Sequence, residues 1–151
     1  MRNKASAALE RFNYLISAID SAYHDVSQSL GMADSSMVVL YAACYNGGSC
    51  LVSDISGLTG MSKQTINSAL RKLEREGIIT LEQFGGKKKT VLLTEEGKAL
   101  AAKTALRVIN IENEIMGSWS NEDRDKYLEL TQRYLNEFRE KASSILSEEQ
   151  L

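Results

Sequence analysis

The sequence has no proline, one histidine and two cysteines among its 151 residues. Proline interrupts helices, so its absence favours long continuous ones. Two cysteines, Cys44 and Cys50, are too few for a disulfide scaffold, and the single histidine, His24, argues against a histidine-built zinc site. The longest apolar run covers residues 37–45, whereas a membrane-spanning helix needs roughly 20 residues. Disulfide-rich, zinc-binding and transmembrane classes are therefore disfavoured.

The charge is unevenly distributed along a chain of ordinary globular composition. The formal net charge is −2, with 43% hydrophobic and 25% charged residues. Residues 57–93 carry seven bases and three acids, which leaves the rest of the chain acidic. A basic middle on an acidic frame indicates that this middle segment meets an anionic partner. Glu10 and Arg11 interrupt any signal-peptide core, so a cytoplasmic location is expected.

Long amphipathic helices are predicted at both ends of the chain. In the first thirty residues the apolar positions alternate spacings of three and four, at Leu9, Phe12, Ile16, Ile19, Tyr23, Val26 and Leu30. This spacing is typical of a helix that packs along another helix, either within the chain or, as we favour, in a homodimer. Two further long helices are predicted, one capped by Thr94 and ending near residue 117, and one over residues 121–147. The last has an apolar stripe at Tyr127, Leu130, Tyr134, Phe138, Ala142 and Ile145.

The middle of the chain predicts three shorter helices followed by a β-hairpin. One of Asp34, Ser35 and Ser36 is expected to cap a central helix that ends before Asn46, and a short segment at 49–52 leads to a helix at 53–58. A turn at 59–61 precedes a helix at 63–76, capped by Ser62, with a stripe at Ile66, Ala69, Leu70 and Leu73. Strands at 78–84 and 90–93 flank a tip of glycines and lysines. The predicted fold is mainly α, with a small β-hairpin wing.

A helix-turn-helix with a basic wing is suited to binding double-stranded DNA. The outward side chains near the start of the second helix would read base edges in the major groove, namely Gln64, Thr65, Asn67 and Ser68. The DNA backbone would meet Ser35, Ser36, Ser62, Lys63, Arg71 and Lys72. The wing would add Lys87, Lys88 and Lys89, at the backbone or the adjacent minor groove. Taken separately, the polar face and the lysine run are equally typical of solvated surface; their order along the chain favours DNA.

Three segments resemble the MarR family of bacterial transcription regulators. They are residues 58–67 (LTGMSKQTIN), 70–79 (from Leu70 through Gly77-Ile78-Ile79) and 91–97 (VLLTEEG). The resemblance implies a homodimer whose first and last helices form the dimerisation region, at Leu9, Phe12, Ile16, Ile19, Tyr127, Tyr134 and Phe138. It also implies a pseudo-palindromic operator. The expected regions are an N-terminal dimerisation helix at 1–33, a winged helix-turn-helix lobe at 34–97 and C-terminal dimerisation helices at 98–151.

The wing departs from the family pattern. Family members commonly carry Asp-x-Arg there, and the corresponding positions are Gly85 and Lys87. Lysine keeps the charge but loses the planar fork of arginine, and glycine removes the local anchor. We expect a more mobile wing that contributes affinity more than groove selectivity.

The resemblance also implies a ligand cleft between the dimer region and the DNA-binding lobe, with walls from the first, second and fifth helices. Tyr14, Tyr23, Tyr41 and Tyr45 could offer it apolar faces with a polar tip; core or interface packing is the alternative role for these tyrosines. Neither cysteine has a basic neighbour in sequence, so redox sensing is not favoured. No catalytic residue set stands out, and no cofactor is predicted. The predicted function is that of a sequence-specific DNA-binding transcription regulator, a homodimeric repressor released by a small ligand. A ligand-independent regulator or a protein-interaction module on the same fold is the alternative.

Overall fold

The computed structural model describes residues 4–86 and 88–148, and it confirms a mainly helical fold with a β-hairpin wing. The elements in chain order are α1 (Lys4–Ser29), α2 (Asp34–Tyr45), β1 (Ser49–Leu51), α3 (Val52–Leu58), α4 (Lys63–Arg75), β2 (Ile79–Phe84), β3 (Lys88–Leu93), α5 (Glu95–Lys103), α6 (Ala105–Ser118), α7 (Asn121–Lys141) and α8 (Ser143–Glu148). The helix-turn-helix is formed by α3 and α4, and the wing by β2 and β3.

The wing belongs to a three-stranded antiparallel sheet with the order β1-β3-β2. The predicted hairpin is confirmed, with Leu81 opposite Val91 in the register. The segment at 49–52 was expected only to connect two helices, but its first three residues form β1, where Cys50 lies opposite Val91. A three-residue strand is too short to show the alternation by which strands are predicted.

The core of the winged lobe forms around α2, as its almost entirely apolar sequence predicts. Val39 and Leu40 are fully buried. The predicted stripe of α4 is buried with them, at Ile66, Ala69, Leu70 and Leu73. The sheet contributes Ile79 and Val91 to the same cluster. One face of the helix-turn-helix and one face of the wing therefore rest on a common core. This core fixes the position of α4, the second helix of the motif, which is named the recognition helix.

Both ends of α4 are closed by specific hydrogen bonds. The predicted cap is confirmed, since the Ser62 Oγ accepts the backbone N–H of Thr65 at 3.1 Å. After the last turn Gly77 has a φ of +71°, a left-handed conformation that favours glycine. This reversal lets the Ile78 N–H donate to the Leu73 carbonyl at 2.9 Å. The recognition helix thus has defined limits at each end.

Thr94 joins the end of α4 to the start of α5. Its hydroxyl donates to the Gly77 carbonyl at 2.6 Å and accepts the Gly97 N–H at 3.0 Å, which confirms it as the cap of α5. Its backbone N–H donates to the Ile78 carbonyl at 3.1 Å. A single threonine therefore connects the two helices through both its side chain and its backbone.

Three predictions of helix limits are wrong. The helix predicted from Thr94 to 117 is broken at Thr104 (φ −128°, ψ −93°), whose buried hydroxyl donates to the Leu100 carbonyl at 2.8 Å. The last predicted helix is divided at Ala142 into α7 and α8. The N-cap of α2 is Ala33, which has no side-chain cap, and Asp34 is the first helical residue. The apolar periodicity continues across the first two breaks, so the sequence gives no sign of them.

The chain divides into two compact units, one up to Ile109 and one from Asn110 onward. In the second unit α7 has no buried residue. The turn between α6 and α7 is fastened by Arg124, which donates to the Met116 carbonyl at 3.0 Å and to Asn121 Oδ1 at 2.5 Å. Trp119 packs edge-on against Tyr127, with ring centroids 5.4 Å apart. The large apolar side chains of α7 are exposed.

Candidate nucleic-acid interface

The exposed face of α4 is polar and lies opposite its buried stripe. Gln64, Ser68 and Arg71 follow the i, i+4, i+7 spacing that places side chains along one helix face. Asn67 and Thr65 flank this row and are also exposed. The Thr65 hydroxyl lies 2.9 Å from the Ser62 Oγ, so it also contributes to the helix cap. The predicted base-reading residues are thus all presented on the outside of the lobe.

A cleft of about 350 Å³ lies between α3, the first half of α4 and the wing. Its floor includes Val52 and the buried Ile66, and its walls carry polar side chains from all three elements: Ser53, Ser56, Lys63, Asn67, Gln83, Lys88 and Lys89. Ser53 and Ser56 are three residues apart on α3, so they lie on the same face of that helix. Lys63 and Asn67 are four residues apart and likewise share a face of α4. The cleft therefore joins the recognition helix to the wing in one cationic surface.

The wing contributes to this cleft through a cross-strand pair. Gln83 lies opposite Lys89 in the register of β2 and β3. Side chains two apart on a strand share a face, so Gln83 continues the face of Ile79 and Lys89 continues that of Val91. Both apolar residues are buried. Toward the tip of the hairpin, the face that carries Ile79 and Val91 is therefore polar. Strand alternation alone could have predicted the position of Gln83 on this face.

The predicted backbone contacts are unequally placed. Lys63, Arg71 and Lys72 are exposed on α4, and Lys88 and Lys89 are exposed on β3. Ser35 is half-buried, whereas Ser36 is only 3% exposed and its Oγ has no hydrogen-bond partner. Burial keeps the Ser36 hydroxyl from the surface, so it is not placed to donate to a DNA phosphate. Lys87 lies outside the described residues.

The four tyrosines of the predicted ligand cleft do not line the cleft beside the wing. Tyr41 and Tyr45 stack on α2 with centroids 6.1 Å apart, and the Arg11 guanidinium lies 5.5 Å from the Tyr14 ring centroid. Tyr14, Tyr23 and Tyr45 are exposed. Their part in ligand binding stays a prediction.

The thiols lie in surroundings that disfavour the reactive thiolate. Both cysteines are free. Burial raises the pKa of Cys44, and burial together with the nearby Asp54 carboxylate raises the pKa of Cys50 to about 11. A raised pKa keeps the sulfur protonated, which lowers its reactivity toward oxidants. Among the described residues, no cluster of three or more His, Cys, Asp or Glu side chains is arranged to hold a metal ion.

His24 links α1 to the first turn of α2. Its Nδ1 lies 2.7 Å from Asp34 Oδ2, and both side chains are about half-exposed. The hydrogen bond to Asp34 and its negative charge raise the pKa of His24 above the ordinary 6.5, with a smaller contribution from Asp25. The protonated pair therefore stabilises the fold fully below about pH 6.5, and this contribution is lost as the pH rises through the His24 pKa of the folded chain.

This pair makes a direct prediction for a chain with a single histidine. An NMR titration of the imidazole should give a pKa above 6.5, and Asp34→Asn should lower it toward that value because the hydrogen bond to the charged ring weakens. Asp25→Asn is the matched control, since the same charge change there should lower the pKa less. Equal shifts in the two variants would contradict the assignment.

The predicted dimerisation residues are exposed within the chain. Along α1 they are Leu9, Phe12, Ile16 and Ile19, and along α7 they are Tyr127, Tyr134 and Phe138, the last 60% exposed. Monomeric soluble proteins rarely expose such continuous apolar surfaces. Within the described ranges, no helix combines the length and the apolarity needed to cross a membrane.

The segment from the end of α1 to the wing, residues 30–89, matches the model of the MarR family. The resemblance to the MarR family is confirmed. It covers the helix-turn-helix and the cationic cleft. A search of curated proteins finds no match.

Solved MarR structures have the same fold over nearly the whole chain. The regulator NMB1585 from Neisseria meningitidis is 22% identical, with a TM-score of 0.74 over 91% of this chain and 96% of its own. A MarR/EmrR regulator from Acinetobacter is 18% identical, with a TM-score of 0.68 over 92% and 99%. BpsR from Bordetella bronchiseptica is 16% identical, with a TM-score of 0.61 over 89% and 98%. At these identities the likeness establishes the winged-helix fold.

Proposed function

We propose that the chain is a homodimeric, sequence-specific DNA-binding regulator that acts as a repressor released by a small ligand. The observation that carries the proposal is the exposed polar face of α4 beside the lysine-lined cleft of the wing. The fold is that of MarR transcription regulators. DNA binding, dimerisation and repression are the steps inferred beyond it.

The recognition helix has the chemistry to read bases in a major groove. Gln64 and Asn67 carry amides that can pair bidentately with adenine, and the Ser68 hydroxyl can donate to or accept from a base edge. Lys63, Arg71 and Lys72 surround them with positive charge for phosphates. Lys88 and Lys89 would meet the next stretch of backbone from the wing. Base-contacting side chains surrounded by cationic ones match DNA recognition, in which base contacts specify the sequence and phosphate contacts position the protein.

A second copy of the chain is the partner that best accounts for the exposed helix faces. The faces of α1 and α7 are long, apolar and periodic, as helix–helix interfaces require. Two-fold symmetry would also present two α4 helices to the two half-sites of a pseudo-palindromic operator. The residues proposed for dimerisation are thus different from those proposed to meet DNA.

Ligand release is supported by the behaviour of a relative with this fold. DNA binding by BpsR is regulated by 6-hydroxynicotinic acid. A ligand that prefers a spacing of the two lobes unsuited to the half-sites would lower DNA affinity by its differential binding energy. The tyrosines Tyr14, Tyr23, Tyr41 and Tyr45 are the proposed contacts for such a ligand.

Titration of DNA flanking the gene of this protein tests the DNA-binding step. We expect binding that weakens as salt rises, because lysines displace counterions from phosphates. Asn67→Ala should weaken binding to the specific site by roughly 30-fold or more, because a homodimer loses one bidentate base contact in each half-site. Its binding to scrambled DNA should be unchanged.

Lys89→Ala serves as the matched phosphate variant. It should weaken binding to both DNAs alike and lower the salt slope by about two, because each protomer loses one phosphate contact. Lys103→Ala, with the same charge change on the exposed side of α5, should alter neither affinity nor slope. Absence of any salt-sensitive DNA binding would overturn the proposal and favour a protein-interaction module.

A further inference from the structure

We propose that the cleft between α3, α4 and the wing is also a binding site for a small phosphorylated metabolite with two or more phosphate charges, which competes directly with DNA. This inference rests on the proposed function, because the same lysines would face the operator. It places a regulatory ligand at the DNA-binding surface itself.

The charge of the cleft selects the class of ligand. Lys63, Lys88 and Lys89 contribute three ammonium groups, and no carboxylate belongs to the described lining. The lining joins a cationic side chain of a helix to cationic residues of a strand, so an anion that neutralises more than one of them is favoured. A ligand with a single negative charge can neutralise one such cation, whereas a diphosphate can meet two or more.

The neutral side chains give the site its hydrogen-bonding capacity. The hydroxyls of Ser53 and Ser56 and the amides of Asn67 and Gln83 line the same cleft. These groups donate to phosphate oxygens from three different elements, which fixes the orientation of a ligand as well as attracting it. A surface that merely attracted polyanions through its charge would need the lysines but not these four side chains.

The dimensions favour a small ligand. The volume of about 350 Å³ falls at the lower end of the range of small-molecule pockets, roughly 300–1,000 Å³. Val52 and Ile66 provide an apolar floor for a carbon skeleton, and Ile66 itself is fixed in the core. The cleft therefore fits a compact phosphorylated metabolite better than a large cofactor.

Occupancy by such a ligand would exclude DNA without any movement of the lobe. Lys63 and Asn67 lie on the recognition helix, and Lys89 lies on the wing. A free polyphosphate bound between them takes the donors that the DNA backbone requires. Simple competition then links the metabolite concentration to operator occupancy through mass action.

Inorganic pyrophosphate is the probe for this site, titrated into the full chain by calorimetry without DNA. At a fixed ionic strength of about 0.15 M, where long-range surface attraction is screened, we expect saturable binding of one pyrophosphate per chain. Lys89→Ala and Lys63→Ala should each weaken it about tenfold or more, and Lys89→Arg should retain most of it. Lys103→Ala makes the same charge change outside the cleft and should bind pyrophosphate as the unaltered chain does.

A competition arm separates this inference from the proposed function. Pyrophosphate should displace labelled operator DNA with an inhibition constant equal to its directly measured dissociation constant, while sulfate at equal ionic strength should not. DNA binding without saturable pyrophosphate binding, or pyrophosphate binding indifferent to Lys63→Ala and Lys89→Ala, would overturn the inference alone. Pyrophosphate binding without any DNA binding would overturn the proposed function and leave the anion site standing.

Discussion

Glutamate at both Ile16 and Ile19 is expected to convert the protein to a monomer and to weaken binding to a two-half-site operator by about 100-fold or more. Both side chains are close to half-exposed in the single chain, on the apolar face of α1. In a dimer they would be buried, and burying unpaired carboxylates is strongly unfavourable. Loss of the dimer removes the gain in affinity that comes from linking two lobes. Light scattering measures the mass, and DNA titration measures the affinity.

Ser21→Glu provides the control for these charges. Ser21 is exposed and lies on the side of α1 opposite Ile16 and Ile19, by the 100° step of the helix. It should leave the mass and DNA affinity unchanged. Binding to a single half-site should be equal in all three proteins, since α4 is unaltered. A double glutamate variant that stays dimeric would show that α1 is not part of the dimer interface.

The elements that depend on local chemistry could be predicted from the sequence. Ser62 and Thr94 were identified as caps because a hydroxyl before an amphipathic segment satisfies the free N–H groups of a helix start. The buried stripe of α4 followed from its periodicity, and the hairpin followed from β-branched residues around Gly85 and Gly86. Each of these signals acts over a few residues, so the three-dimensional context does not alter it.

The elements that depend on distant residues could not be predicted in this way. β1 exists because β3 offers a pairing edge, and the two are forty residues apart in the chain. No glycine or proline lies within six residues of the break at Thr104, whose buried hydroxyl donates to the Leu100 carbonyl. The cleft required α3, α4 and the wing to converge, so the sequence supplied Lys63, Lys88 and Lys89 but not Ser53, Ser56 or Gln83. Of these three, only Gln83 could have been placed from the sequence, because it is four residues from Ile79 on the same strand and therefore shares its face.

The structure shows where the basic middle segment of the chain lies. Six of the seven bases of residues 57–93 lie at exposed positions of α4 and β3, and three of these six line the cleft. After residue 111, ten acids face five bases in the chain. A net charge of −2 therefore combines a positive binding surface with an acidic remainder. On the proposed function, the positive surface is the part of the chain that phosphates attract.

The close approach of Gly97 to the backbone explains why glycine follows Thr94-Glu95-Glu96. A Cβ on Gly97 would overlap the carbonyl oxygen of Ile78 and would come within 3.4 Å of the Thr94 Oγ1. That carbonyl already accepts the Thr94 N–H, and Ile78 is held by its own bond to Leu73. The atom that would be overlapped is a backbone carbonyl and not the end of a flexible side chain, so the strain has no easy release. The glycine therefore lets α5 begin directly against the end of the recognition helix.

Gly97→Ala should lower the free energy of unfolding by about 2 kcal/mol or more, as overpacking in a tight site does. The backbone of Gly97 is helical, without a positive φ, so the effect comes from the contact and opposes the usual gain of alanine over glycine in a helix. Gly57→Ala is the matched control, because a Cβ there meets nothing within 4 Å. It should be neutral or stabilising by up to about 1 kcal/mol. Urea unfolding at one protein concentration compares them, and equal stability of Gly97→Ala and the unaltered chain would show that α5 shifts freely from Ile78.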